Sequence, residues 1–120
     1  MNELETLREA VRLSPHNIPL RRHLADTLLK HALPAEAEQE YRDALALAPD
    51  DLELKLGLAR AFSQQGKGSH ALVIVEDMTK VPDAPGRAHV LHAKLLAAAG
   101  DVAQAVRQYR RGVEDRKSVV

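Results

Sequence analysis

An all-α fold built from antiparallel helix pairs is what this sequence predicts, on three observations. Leu and Ala supply 18 and 19 of the 120 residues, whereas aromatic residues make up 2%. That balance favours closely packed helices over sheets, which draw on β-branched and aromatic side chains. Apolar positions recur at i, i+3, i+4 and i+7 on either side of short breaks, the pattern of amphipathic helices. The chain also repeats itself at a shift of 34 residues: Leu24, Leu58 and His92 align, as do Ala25, Ala59 and Ala93, then Leu28, Phe62 and Leu96. Ala37, Ala71 and Ala105 fall in the same register, with Tyr41, Val75 and Tyr109. A constant period means a constant structural unit.

Seven helices follow, near residues 2–13, 18–31, 34–47, 52–65, 68–81, 86–99 and 102–115. The first begins at an acid-rich start and ends before Ser14-Pro15; the second runs to the break at Leu33-Pro34, where Pro34 suits the first turn of the third. Pro49 closes the third, 34 residues after Pro15. Gly66-Lys67-Gly68 separates the fourth from the fifth, and the sixth begins after Pro85, where the second full repeat ends. Gly100-Asp101 ends the sixth, and Asp101 is placed to cap the free N–H groups of the seventh.

Composition excludes several functions. The absence of cysteine removes disulfides, thiolate nucleophiles and cysteine-based metal sites. Glu3, Glu5 and Glu9 contradict the basic start of a signal peptide, and no apolar run approaches the roughly 18 residues of a membrane span. A cytoplasmic location and no membrane partner are therefore expected. The charge sums to zero but is unevenly placed: residues 1–51 carry six basic and ten acidic side chains, residues 52–120 eleven and seven. Much of the basic end comes from Arg107, Arg110, Arg111, Arg116 and Lys117. No aromatic residues interleave with them for base stacking, so nucleic acid is not expected as a partner.

Two constellations read as structure rather than chemistry. His89 and His92 lie three apart on one helix with no acidic residue within a turn, and His92 takes a core-leucine position; a hydrogen-bonded, partly buried histidine is expected there, and no metal. Gly66-Lys67-Gly68-Ser69 lacks the preceding strand and first glycine of a phosphate loop and reads as a helix–helix turn. No nucleophile can be assembled with its base, so neither an enzyme nor a cofactor is expected.

Period, helix pair and small-residue pattern together resemble the tetratricopeptide repeat (TPR) family. Within residues 18–51 the family pattern is carried by Leu24-Ala25, Leu28, Ala37, Tyr41, Ala44 and Pro49. Residues 52–85 keep Leu58, Ala59, Phe62, Gly66 and Ala71 but depart at Val75 and Met78; residues 86–119 keep Ala93, Leu96, Gly100, Ala105 and Tyr109 but depart at His92, Gly112 and Lys117. Residues 1–17 match only the second helix of a repeat. The resemblance implies one domain over 1–120, a right-handed superhelical solenoid of about three and a half repeats, in which Tyr41 and Tyr109 are buried aromatic fillers.

It also implies function: a non-enzymatic adaptor or scaffold that binds a protein segment in a concave groove lined by the first helix of each repeat. The groove residues expected here are Arg22, Asp26, Leu29, Leu56, Arg60, Arg87, Val90 and Lys94, with Lys30 nearby. Basic residues predominate, so the expected partner is a protein or peptide of acidic character, with no small-molecule substrate. The family's clamp for acidic chaperone tails matches at Arg22 and Arg87 but has Asp26, Gly57 and Leu91 at its other positions, and Asp26 would repel a carboxylate. That clamp is not expected. The rival reading is homo-oligomerisation through an uncapped terminal repeat or the Val73-Ile74-Val75 run. A last repeat without a polar capping helix suggests a piece of a larger protein, such as the recruiting N-terminal region of a bacterial ATPase or regulator.

Overall fold

The computed structural model describes residues 2–118 and is helical in seven places: α1 (Glu3–Leu13), α2 (Ile18–Lys30), α3 (Pro34–Leu47), α4 (Leu52–Gln64), α5 (Gly68–Thr79), α6 (Gly86–Ala98) and α7 (Val102–Ser118). The elements agree with the expected ones in number and order. The largest differences are α5, which ends two residues early at the Pro82–Pro85 segment, and α7, which runs on to Ser118. The chain forms two compact units, residues 1–66 and 67–120. Their boundary falls in the turn inside the second full repeat.

Helix ends follow the 34-residue period in their chemistry. Asn17 and Asp51 cap α2 and α4, each side-chain oxygen accepting from the backbone N–H three residues on, at 3.1 Å. Asp101 caps α7 in the same way through Gln104 N–H at 3.1 Å. Pro34 opens α3, where its missing N–H would have had no intrahelical partner. At the other end of the first helices, Ala32, Gly66 and Gly100 all take left-handed backbone, with φ of 56°, 76° and 90°. Beyond Ala32 and Gly100 the chain closes back on itself: Leu33 N–H donates to Leu28 C=O and Asp101 N–H to Leu96 C=O, both at 2.9 Å.

In the first unit α1 packs on α2, α2 on α3 and α3 on α4, and α2 also touches α4. The core joins Leu7 and Val11 of α1, Leu24, Ala25 and Leu28 of α2, Ala37, Tyr41 and Ala44 of α3, and Leu54 and Ala61 of α4. Enclosing a Leu24 or Leu28 contributes roughly 1.5–3 kcal/mol relative to leaving it in water. The alanines permit this closeness: Ala25, Ala37 and Ala44 are fully enclosed, so each marks a place where a longer side chain has no room. Arg21 ties α2 to α3, its Nη1 donating to Glu40 Oε2 at 2.9 Å and Asp43 Oδ2 at 3.3 Å, while Nη2 donates to Pro15 C=O at 2.8 Å. Arg8 reaches from α1 to α3 with two 2.8 Å bonds to the Glu36 carboxylate, an exposed pair that water and salt screen.

In the second unit α6 packs against both α5 and α7. Its core is built from Ala71, Val75 and Met78 of α5, Ala84, Ala88, Ala93 and Leu95, and Ala105 of α7, with His89 and His92 buried among them. Gly112 explains one departure from the repeat pattern. A Cβ there would lie 2.8 Å from the Gly86 carbonyl oxygen and 2.9 Å from Val90 Cγ2, so only glycine lets α7 approach the start of α6 this closely.

Candidate functional site

Within the first unit, α2 and α4 border a concavity of about 390 Å³ lined by His23, Asp26, Leu29, Lys30, Arg60 and Gln64. The helical period produces it: 23, 26 and 30 lie on one face of α2, and 60 and 64 on one face of α4. Three of the expected groove residues, Asp26, Leu29 and Arg60, therefore come together, with Lys30 beside them. Arg22 is half-buried on α2, close enough that its charge, like that of Arg60, acts on the Tyr41 hydroxyl. His23 and Gln64 line the same concavity and were missed. Their signal was spacing, one turn before Asp26 and one turn after Arg60 on the faces already assigned.

Asp26 is exposed in the concavity yet held from within the protein. Its Oδ1 accepts a hydrogen bond from the Tyr41 hydroxyl, which rises from the core between α2 and α4. Burial, reinforced by the bond to Asp26 and its negative charge, pushes the Tyr41 hydroxyl well above the usual range, so it remains a donor throughout the physiological range. The tyrosine ring is 1% exposed and lies over Gly57 of α4; a Cβ at Gly57 would sit 2.8 Å from the hydroxyl oxygen and closer still to two ring carbons. The glycine thus fixes how deep the ring sits and hence where Asp26 is held.

Other expected groove residues lie elsewhere. Leu56 is 1% exposed and fully enclosed, so it offers a ligand no surface; the expected apolar contact at this position is corrected. Its neighbour Leu54 is equally buried, since α4 has apolar residues on more than one face. Arg87, Val90 and Lys94 belong to α6 in the second unit. Arg87 and Lys94 are exposed, whereas Val90 is half-buried, with its Cγ2 turned to the Gly112 position on α7.

The second unit carries two concavities of its own. One, about 520 Å³, is polar and lined by Glu76, Thr79, Lys80, His92, Leu96, Asp101, Gln104, Gln108 and Arg111. His92 is buried at its base with Nδ1 3.4 Å from Thr79 Oγ1, and desolvation lowers its pKa. His89, also buried, meets Gln108 Oε1 at 3.0 Å. Both histidines are thus hydrogen-bonded in the core. Among the described residues no group of three or more His, Cys, Asp or Glu could hold a metal ion. The other concavity, about 580 Å³, is apolar and lies between α6 and α7, lined by Ala93, Lys94, Ala97, Ala105, Val106, Tyr109 and Arg110.

Tyr109 corrects an expectation: it is 55% exposed, whereas its counterpart Tyr41 is buried. Tyr41 is covered by α4, the helix that follows its own; among the described residues no helix follows α7. The Val73-Ile74-Val75 run is likewise no continuous apolar surface, because Val73 is 69% exposed and Val75 fully enclosed. The side chains of Arg116 and Lys117, counted in the basic end, lie outside the described residues. No helix among the described residues is long and apolar enough to cross a membrane.

Comparison with known proteins bears on these units. A family profile described as tetratricopeptide repeat matches residues 33–95, more than half of the chain. Solved structures of MamA share the fold: one crystal structure superposes with a TM-score of 0.82 at 14% identity, over 95% of this chain and 67% of its own length. Two further MamA structures, one of them a double mutant, give TM-scores of 0.80 and 0.83 at 16% and 15% identity, with this chain covering 67% and 65% of them. The chain spans about two thirds of these proteins. Among curated proteins none matches it in sequence.

Proposed function

The chain belongs to the tetratricopeptide-repeat family, and on that premise we propose that it is a non-enzymatic interaction scaffold, acting in the cytoplasm, whose α2–α4 concavity takes an acidic segment of a partner protein. The observation that carries this reading is the make-up of the concavity: Lys30 and Arg60 face it with His23 and Gln64, while its one carboxylate, Asp26, already accepts from Tyr41. Two cations against that single carboxylate leave the concavity with a net positive charge, and Gln64 adds a neutral carboxamide able to donate. Leu29, half-buried on the same face, supplies a salt-insensitive contact.

Charge-assisted bonds at exposed Lys and Arg contribute about 0–1 kcal/mol each, so micromolar or weaker affinity is expected, falling as salt rises through about 0.15 M. The test is a titration of acidic and basic peptide pools against wild type and the double reversal Lys30→Glu with Arg60→Glu, at two salt concentrations. The reading requires that wild type prefer the acidic pool and that the double variant reverse the preference. Equal binding of the acidic pool by both proteins would remove the concavity as the site. Homo-oligomerisation, the rival, would appear as a mass above the monomer in light scattering without any peptide.

A further inference from the structure

Counting protons around His92 leaves one nitrogen of a buried ring without a partner. The Thr79 hydroxyl has a single proton and donates it to the Glu76 C=O at 3.1 Å. Toward His92 Nδ1, 3.4 Å away, the same oxygen can then only accept, which puts the ring proton on Nδ1 and leaves Nε2 a bare lone pair. Desolvation lowers the pKa of this histidine and keeps the ring neutral. Among the described residues Nε2 makes no hydrogen bond, and what stands across from it is a second acceptor, Glu76 Oε1, at 4.0 Å. Every side-chain nitrogen and oxygen that the described residues seal from solvent has a partner, so this one opens onto the polar concavity of about 520 Å³ that both residues line. Leu24 and Leu58 hold the place of His92 in the preceding repeats, so the acceptor is a feature of this repeat.

Two acceptors 4.0 Å apart admit one donor nitrogen about 2.9 Å from each, at an angle of about 90° that the protons of an ammonium reach. A guanidinium offers its protons as a planar fork suited to a single carboxylate, so the pair favours the point-like ammonium. Cations border the pair: Lys80 lies one turn beyond Glu76, and Arg111 of α7 places its charge near His92. Neither forms an ion pair among the described residues.

We propose that this concavity docks a lysine side chain of a partner protein, its ammonium seated between His92 Nε2 and Glu76, with an acidic residue two positions away in the same extended segment meeting Lys80. The spacing agrees, since one turn of α5 advances about 6 Å and two residues of extended chain about 6.6 Å. Thr79 and His92 at the base are buried, whereas Glu76, Lys80, Asp101, Gln104 and Arg111 are exposed. A free amine stays largely hydrated in so open a cavity, whereas a lysine presented by a chain running outside it is held by that chain as well. The site lies in the second unit and stands independently of the α2–α4 concavity.

The probe is the peptide acetyl-Ser-Glu-Ala-Lys-Ala-Glu-Ser-amide, with an acid two positions to either side of the lysine, titrated into the whole chain and followed by amide and imidazole NMR shifts. Wild type should bind it at least fivefold more tightly than the same peptide with norleucine for lysine. The margin should be at least threefold over the peptides with arginine for lysine or with glutamine for both glutamates. The imidazole spectrum should show His92 protonated at Nδ1, with Nε2 shifting as peptide is added. His92→Leu, which restores the residue of the other repeats and so keeps the fold, should bring the lysine and norleucine peptides within twofold of each other. Glu76→Gln, at an exposed position, should narrow their ratio by threefold or more, and Lys80→Glu should remove the preference for the glutamate flanks. The proposal is overturned if the lysine peptide does not bind or binds no better than its norleucine analogue, if His92 carries its proton on Nε2, or if any of the three variants leaves its preference unchanged. Nα-acetyl-lysine amide binding as tightly as the peptide would assign the cavity to a small amine and overturn it equally.

Discussion

Replacing Ala32 by glycine should stabilise the protein, although it deletes a methyl group and introduces the weakest helix former after proline. Ala32 follows α2 with φ at 56°, the left-handed region in which an L side chain crowds the following carbonyl. That conformation costs roughly 1–2 kcal/mol per non-glycine residue. Glycine removes the crowding but adds unfolded-state freedom worth about 0.5–1 kcal/mol. The difference spans about 0 to 1.5 kcal/mol and centres on a net gain of roughly 0.75 kcal/mol. The chain contains its own controls, since Gly66 and Gly100 occupy the same place in the next two repeats with φ of 76° and 90°, and a Cβ at either would meet nothing within 4 Å. Gly66→Ala and Gly100→Ala therefore report backbone strain without a steric contribution, and each should destabilise by a similar amount. The assay is a urea titration of all three variants, with amide exchange at Leu33, whose N–H closes onto Leu28 C=O at 2.9 Å. Ala32→Gly should raise the midpoint at constant slope, slow exchange at Leu33, and raise Tm by roughly 2–5 °C. An Ala32→Gly variant no more stable than wild type, beside glycine variants that do lose stability, would refute the reasoning. The turn at 32 would then be held by contacts other than its backbone.

Three further outcomes are expected. Tyr41→Ala should destabilise by roughly 3–5 kcal/mol in denaturant titration, because it empties a fully enclosed aromatic site; a loss below about 1 kcal/mol would mean the ring lies at the surface. Gly57→Ala should cost about 1–3 kcal/mol by forcing the same ring outward, and combining it with Tyr41→Ala should cost less than the sum, since the clash disappears with the ring. Burial lowers the His92 pKa below 6.5, so the unfolded chain binds the proton more readily: the stability contribution is full above about pH 6.5 and is lost as pH falls below it. His92→Gln should flatten the profile of Tm against pH between 7 and 5, read as a difference from wild type; an unchanged profile would place the titration elsewhere.

The helices and their order were legible because the features that make them occur in every repeat: apolar spacing, Pro34 at a first turn, Asp101 at a cap, alanine where backbones approach. The placement of His92 in the core was legible too, since it interrupts a series of leucine positions and its ring finds Thr79. Ala32 was not recognised as a turn residue because the left-handed position is announced by glycine at 66 and 100 and is masked by alanine at 32. Gly112 looked like a lapse from the pattern until the structure showed the Gly86 carbonyl against it. Tyr109 was misjudged for a different reason. Periodicity identifies a slot, whereas burial depends on the helix that comes next.

The same distinction governs the binding surfaces. Positions 26, 60 and 94 occupy one register in successive repeats, yet carry aspartate, arginine and lysine. Periodicity places all three on equivalent faces and suggests a ladder of like sites. The structure gives each a different role according to its neighbours. Asp26 is bound to the Tyr41 hydroxyl and Arg60 shares its concavity, whereas Lys94 stands at the rim of an apolar face beside a tyrosine whose ring is open to water. A repeat sequence therefore discloses its scaffold through the residues that recur and its specificity through those that change at fixed positions. What such a change means is set by local pairing: Asp26 is oriented by the buried hydroxyl it accepts from, whereas Lys94 borders an apolar face.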